Sequence, residues 1–241
     1  MARLAYVVAC LAACALSACA SGAHATAAQD DQYVALYRAL HPSVVLLTMQ
    51  IPADDPKRKG AWDDAYGSGF VVASGTWGSR VLTDKHVIDG ARNLQATIGD
   101  GAHAAARVVA TTDDVVDLAI LDVPIRDVKP APLGSSAQIV PGTAVGVLGY
   151  PIPDAFQDEK LDRTVSLYTG RVASVRRGAL EIEVPIIPGE SGGPVFDATS
   201  GAVIGIAESR FDEERAIGFA TPIDLAKAFL AQHPLPKASA P

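Results

Sequence analysis

The stretch PGESGGPVF, Pro188 to Phe196, decides how the rest of the chain is read. A serine, Ser191, stands among Gly189, Gly192 and Gly193, with prolines on either side. Such a segment is either an ordinary tight turn between strands or a turn that pushes a serine out to attack a carbonyl. The choice rests on whether the chain also supplies a base, an acid to orient that base, and a scaffold.

Serine is a poor nucleophile without an adjacent base, and the base must be held in one tautomer. Of the five histidines, His24 lies in a small-residue stretch and His41 precedes a proline. His103 sits in a polar turn and His233 follows the last helical pattern. His86 differs, because it follows the strand-like RVLTD and precedes VI, where a scaffold can fix it. A lone histidine there could equally be satisfied by a backbone carbonyl. For the acid, TTDDVVDLAIL offers Asp113, Asp114 and Asp117. The first two read as a solvated turn. Asp117 opens an apolar strand, where an ionised carboxylate needs a partner. The glycines have a use of their own. Backbone N–H groups aimed at the developing oxyanion stabilise acyl transfer, each by about 3 kcal/mol, and glycine adopts the backbone angles that aim them. Gly189 and Ser191 would supply those two N–H groups.

Around these candidates the sequence is a succession of short runs rich in Val, Ile, Leu and Thr, separated by Gly, Asp, Asn and Pro. That pattern predicts many short strands in barrels or a sandwich. YVALYRAL, Tyr33 to Leu40, has helical spacing and is stopped by His41-Pro42. PIDLAKAFLAQH near the end is a second helix, with Pro222 at its start and Asp224 in its first turn. DVKPAPLGSS, Asp127 to Ser136, reads as the linker between two all-β halves.

The N-terminus belongs to another kind of segment. Arg3 precedes an apolar run from Leu4 to Ala18 that is interrupted only by Ser17. This is the pattern of an export signal, and it is too short for a membrane span. LSAC, Leu16 to Cys19, resembles a bacterial lipobox, so Cys19 is the expected lipidation site. LAAC at Leu11 to Cys14 fits with a shorter apolar stretch, and simple cleavage at Ala18-Cys19-Ala20 or Ala23-His24-Ala25 is the alternative. Cys10, Cys14 and Cys19 are the three cysteines of the chain, so the body is expected to fold without disulfides. With 49% apolar and 20% charged residues the chain is too apolar for disorder. Its net charge of -7 lacks the basic stripe that phosphate binding demands, which excludes a nucleic-acid partner.

GESGGP around Ser191, VLTDKHVI around His86 and DLAIL after Asp117 together resemble the trypsin-like (chymotrypsin-fold) serine proteases, and the order His–Asp–Ser is theirs. The spacings, 31 positions from His86 to Asp117 and 74 to Ser191, are similar to the bacterial HtrA (Deg) branch. HPSVV, GSGFVV, GAVIGI and IGFATPIDLAKAFL resemble that branch in order.

The resemblance implies an all-β fold of two six-stranded antiparallel β-barrels, with a short N-terminal and a C-terminal helix. The expected division is a lipoprotein-type signal over 1–18, a tether over 19–32, a protease domain over 33–233 and a tail over 234–241. Within the domain the first barrel spans about 42–126, the second about 134–222, and the last helix 223–233. The resemblance also implies peptide hydrolysis by His86, Asp117 and Ser191 through an acyl-enzyme, with no metal or other cofactor. A substrate pocket is expected at Ile187, Ile206, Ala207 and Glu208. The isoleucines favour a small or medium apolar residue there; Glu208 reads as a solvated edge residue, or would favour a basic one if it faced inward.

HtrA proteins usually end in a peptide-binding PDZ domain; this sequence ends at Pro241, so none is expected. They also usually carry Asn where this chain has Glu190, which would either brace the oxyanion loop or face solvent. Expected partners are protein or peptide substrates, a membrane through the lipid anchor, and two further copies in a family-type trimer. The expected location is a periplasm-facing outer-membrane site, with a secreted or periplasmic protein as the alternative, in envelope quality control or processing. A catalytically silent, peptide-binding member of the same fold is the alternative.

Overall fold

The computed structural model describes residues 32–99, 101–113, 116–208 and 217–236. The signal, the tether and Cys19 lie outside the described residues. Two compact units divide the chain, residues 1–38 and 39–241. In the first, described from 32 onward, the backbone is helical (α1, 32–40, running two residues into the second unit).

The second unit begins with seven antiparallel strands: β1 (Val44–Pro52), β2 (Trp62–Gly75), β3 (Gly78–Thr83), β4 (Arg92–Ile98), β5 (Ala102–Ala105), β6 (Arg107–Thr111) and β7 (Ala119–Val123). Their order in the sheet is β5-β4-β1-β2-β3-β7-β6. This is one strand more than expected, and the cause is local. β5 pairs with β4 at one edge and β6 with β7 at the other, yet only Ala106 separates them in sequence. The Ala106 N–H still donates to Leu94 O at 3.0 Å. One bent stretch of chain therefore joins both edges of a curled sheet.

After an irregular connection come β8 (Ala144–Gly149), β9 (Ser166–Arg176), β10 (Ala179–Ile182), β11 (Pro194–Asp197), β12 (Val203–Glu208) and β13 (Gly218–Pro222). These six close into a barrel in the order β10-β13-β12-β11-β8-β9. Among the described residues, three further α-helices interrupt or follow the strands: α2 (Lys85–Ile88), α3 (Pro153–Asp158) and α4 (Ile223–Ala231). Asp224 in the first turn of α4 does not cap its own helix. Its Oδ2 instead accepts from Ser135 Oγ, Ser136 Oγ and Ser136 N, each at 2.9 Å, tying the connecting segment to the helix.

Apolar alternation places a core inside each sheet. Val45, Leu47, Val71, Val81 and Leu121 lie in one, and Val145, Val147, Val172, Leu180 and Val195 in the other. A third cluster takes residues from both. Phe70, Leu82, Leu118 and Ile120 of the first half meet Val203 and Ile206 of the barrel and Ile223, Ala226 and Phe229 of α4. Burying each large side chain of this set is worth about 1.5–3 kcal/mol. The third cluster fixes how the ends of β3 and β7 stand against the turn before β11, and the candidate site lies there.

Candidate active site

His86 leaves the apolar strand β3 through Thr83 and Asp84 and sits in the single turn α2, rather than on a strand end. Asp117 lies two residues before β7, next to β3 in the sheet. That adjacency brings them together. Asp117 Oδ2 is hydrogen-bonded to His86 Nδ1, and Asp117 Oδ1 accepts the His86 backbone N–H at 2.8 Å. Both carboxylate oxygens thus hold one histidine, so the ring is fixed in position and in tautomer. Burial pushes the Asp117 carboxyl up. The bonds and charge of His86, with the Lys85 N–H, outweigh it and hold the carboxyl below its ordinary value. Asp117 therefore stays ionised, opposite an imidazole whose side chain is 45% exposed and open to a reactant.

Ser191 comes from the barrel, in the turn between β10 and β11, and is only 6% exposed. Its turn is fastened to the other sheet. Ser68 of β2 donates its N–H to Ser191 O at 2.9 Å and its hydroxyl to Gly189 O at 2.6 Å, while Ser68 Oγ accepts from Tyr150 N at 2.9 Å. Thr83 Oγ1 in turn donates to Ser68 O at 2.7 Å. The fit leaves no space for side chains: a Cβ at Gly192 (φ 88°) would lie 2.2 Å from Ser68 O. Gly189 (φ 94°) is in the left-handed region, and a Cβ there would lie 2.3 Å from Tyr150 O.

The N–H groups of Gly189 and Ser191 donate to no acceptor among the described residues, while the intervening Glu190 N–H bonds to Ile187 O at 3.0 Å. Two uncommitted donors on one turn are what an oxyanion requires. Ser191 Oγ itself makes no hydrogen bond to His86 among the described residues. Catalytic hydrogen bonds are often long before substrate arrives.

Comparison with known proteins gives this arrangement a family. A family model described as a trypsin-like peptidase domain matches residues 67–206, from β2 through β12. The chain belongs to the trypsin-like peptidase family. Serine protease Do-like HtrB of Bacillus subtilis (strain 168) is 32% identical over 64% of this chain and 35% of its own length. The "Probable periplasmic serine endoprotease DegP-like" of Pseudomonas savastanoi pv. phaseolicola is 30% identical over 73% of this chain and 37% of its own. The chain thus spans little more than a third of the length of these curated relatives. A solved structure, the HtrA-type protease AlgW with tripeptide, shares the fold at a TM-score of 0.68 and 24% identity. It covers 83% of this chain and 62% of its own.

Within this trypsin-like peptidase domain the expected pocket residues behave differently from one another. Ile206 is fully buried in the cluster between the two sheets. Its side chain belongs to the cluster it shares with Phe70, Leu82 and residues of α4, not to an open pocket. Ala207, on the opposite face, is also fully buried, and its backbone pairs with Gly192 N and Gly193 O at 2.8 Å each. Glu208 is not a solvated edge residue. It is 7% exposed, accepts from Thr221 Oγ1 at 2.9 Å, and faces a cavity of about 320 Å³ lined also by Lys85, His86, Asp89, Asp113, Val116 and Asp117. Ile187 is half-buried and donates its N–H to Glu190 Oε2 at 2.9 Å. Residues 209–216 lie outside the described residues.

Asp84, His86 and Asp117 bring one ligand atom each within 4.8 Å of one another. His86 Nδ1 is already bonded to Asp117, so a metal taking that nitrogen would compete with the pair.

Sequence reasoning missed Ser68. Its signal was a lone hydroxyl inside GSGFVV, a strand otherwise lined by Gly and apolar residues.

Proposed function

We propose that this chain is an exported serine endopeptidase that cleaves peptide bonds through an acyl-enzyme. Ser191 Oγ attacks the scissile carbonyl while His86 takes its proton and later delivers it to the leaving amine. Asp117 orients His86 and stabilises the imidazolium. The Gly189 and Ser191 N–H groups receive the oxyanion, and water then releases the acyl group.

The observation that carries this reading is the two-point grip of Asp117 on His86, beside a serine turn with two uncommitted N–H groups. The peptidase family supports peptides as the substrate class, and the AlgW structure that shares the fold is one with a tripeptide. The apolar Arg3–Ala18 stretch and the periplasmic name of one relative support export. A lipid anchor at Cys19 on the outer membrane, a trimer and a role in envelope quality control complete the proposal. Tyr33 and Tyr37 are the N-terminal aromatic residues such a trimer would use.

One observation favours the alternative, a silent peptide-binding protein: Ser191 Oγ is not bonded to His86 in the resting structure. Treatment with a fluorophosphonate probe separates the two. Labelling of the wild type but not of Ser191→Ala or His86→Ala supports the peptidase. Absence of labelling alongside measurable peptide binding would favour the silent reading.

A further inference from the structure

Glu190 stands immediately before the nucleophile and is fully buried. A carboxylate in that setting should be paired with a cation or fully hydrogen-bonded. Glu190 has neither. Its Oε2 accepts one bond, from the Ile187 N–H at 2.9 Å, and its Oε1 is buried with no partner. Among the described residues no Lys, Arg or His pairs with it. Burial and the Ile187 N–H are the two influences that set its ionisation. A Cβ on Gly149 of β8 would lie 3.1 Å from Glu190 Cα and 3.1 Å from Ser68 Oγ. The titratable group that feels its charge is the Tyr168 phenol on β9, which is raised by burial and then by Glu190.

The single bond is well placed to act on the site. Ile187 and Glu190 are already joined by the backbone bond from Glu190 N to Ile187 O at 3.0 Å. The side-chain bond from Ile187 N to Glu190 Oε2 closes the same four residues in the opposite sense. Gly189 lies inside this doubly closed turn and Ser191 directly follows it, and these residues carry the two uncommitted N–H groups.

We propose that Glu190 is a positioning residue of this site: as a neutral carboxylic acid it clamps the 187–190 turn and so aims the Gly189 and Ser191 N–H groups at the oxyanion. The proposal rests on the acyl-transfer reading above. Burial raises the Glu190 carboxyl to about 7, with the Ile187 N–H pulling only partly the other way, so the neutral form is available at working pH. Ionisation leaves a charge on Oε1 with no donor, and the clamp is expected to open.

The test compares the full-length wild type with Glu190→Ala and Glu190→Gln. Two readouts are followed from pH 5 to 9: the rate of fluorophosphonate labelling and the hydrogen-exchange protection of the Ile187 amide. Misplacing a catalytic group by an ångström costs about 100-fold. Glu190→Ala should therefore label about 100-fold more slowly and lose protection at Ile187. Glu190→Gln keeps an acceptor for the Ile187 N–H and cannot ionise. It should restore both, and should lack the fall in rate that the wild type shows above about pH 7.

Wild-type labelling equalled by Glu190→Ala would overturn the positioning role while leaving the peptidase reading intact. A Glu190→Gln profile with the same alkaline fall as the wild type would also overturn it. Labelling absent from every protein would instead sink the peptidase reading. The Ile187 amide alone then decides the clamp: protection lost in Glu190→Ala upholds it, and protection retained refutes it.

Discussion

Replacing Glu190 with glutamine should make the fold more stable at alkaline pH and leave it nearly unchanged in acid. Burial raises the folded-state carboxyl from 4.5 to about 7. Below pH 4.5 both folded and unfolded chains carry the proton, and the group adds no pH dependence. Between 4.5 and 7 the unfolded chain ionises while the folded chain keeps its proton. The folded state then binds more protons, and stability falls as pH rises. The slope for one group is about 1.4 kcal/mol per pH unit. Across the 2.5 units from 4.5 to about 7 the loss reaches about 3 kcal/mol and levels off above the folded value. Against a typical total of about 5–15 kcal/mol this is a large share. Glutamine mimics the neutral acid in size and retains an acceptor for the Ile187 N–H, so it carries none of this dependence. Urea unfolding followed by the fluorescence of Trp62 and Trp77 gives the difference between the two proteins at each pH. The expected difference is near zero at pH 4.5 and climbs to about 3 kcal/mol in favour of Glu190→Gln by pH 8. A difference that stays constant from pH 5 to 9 would refute the reasoning, because a solvated or ion-paired Glu190 would show no such climb.

Two other perturbations test how the site is held. Ser68→Ala removes the hydroxyl that serves both Gly189 O and Tyr150 N. Two buried backbone groups lose a partner at about 1–3 kcal/mol each, so unfolding free energy should drop by about 2 kcal/mol or more and fluorophosphonate labelling should slow with it; labelling at the wild-type rate would show that the staple does not set the turn. Asp122 accepts from two arginines, the fully buried Arg80 at 3.0 Å and the 69%-exposed Arg107 at 2.8 Å. Asp122→Ala strands the buried Arg80 charge and should cost about 3–5 kcal/mol, whereas Arg107→Ala should cost at most about 1 kcal/mol; equal costs in denaturant unfolding would mean that burial does not govern this pair.

The candidate residues His86 and Asp117, which the fold brings together, were legible because chemistry restricts their neighbours. His86 stood out by following an apolar strand, and Asp117 by being a carboxylate that opens one; adjacent strands β3 and β7 join them. What could not be read depended on which face another element covers. Ile206 and Glu208 lie two positions apart on β12, and the sequence offers no way to know that α4 and Phe70 seal the first while the second borders a cavity with His86. Glu190 presented the same difficulty, since a glutamate in a glycine turn is ordinarily solvated. In the fold Gly149 of β8 packs closely against it, and the residue is fully buried. The helix α3 was missed because PDAFQD is too short and too polar to show a period. Its start requires Ile152 at φ 35°, a left-handed angle that β-branched residues rarely adopt. The Ile152 N–H donates to Pro188 O at 2.7 Å, which helps to hold it there.

The site is divided between two separately cored sheets, and this separates what brings its halves together from what aligns them. His86 and Asp117 are carried by segments next to β3 and β7 of the curled sheet, and Ser191 by the turn before β11 of the closed barrel. The cluster of Phe70, Leu82, Ile206, Ile223 and their neighbours supplies the larger free energy of association, at about 1.5–3 kcal/mol for each large side chain buried. Such burial is non-directional, and by itself it would tolerate small slips of one sheet on the other. The hydrogen bonds from Ser68 and Thr83 contribute less, about 1 kcal/mol each, but they are directional and end on the carbonyls of Gly189, Ser191 and Ser68. They are placed to convert a packed interface into a fixed distance between histidine and serine. Loss of apolar contacts in the third cluster should therefore lower stability before it alters the chemistry. Loss of Ser68 should alter the chemistry in molecules that remain folded.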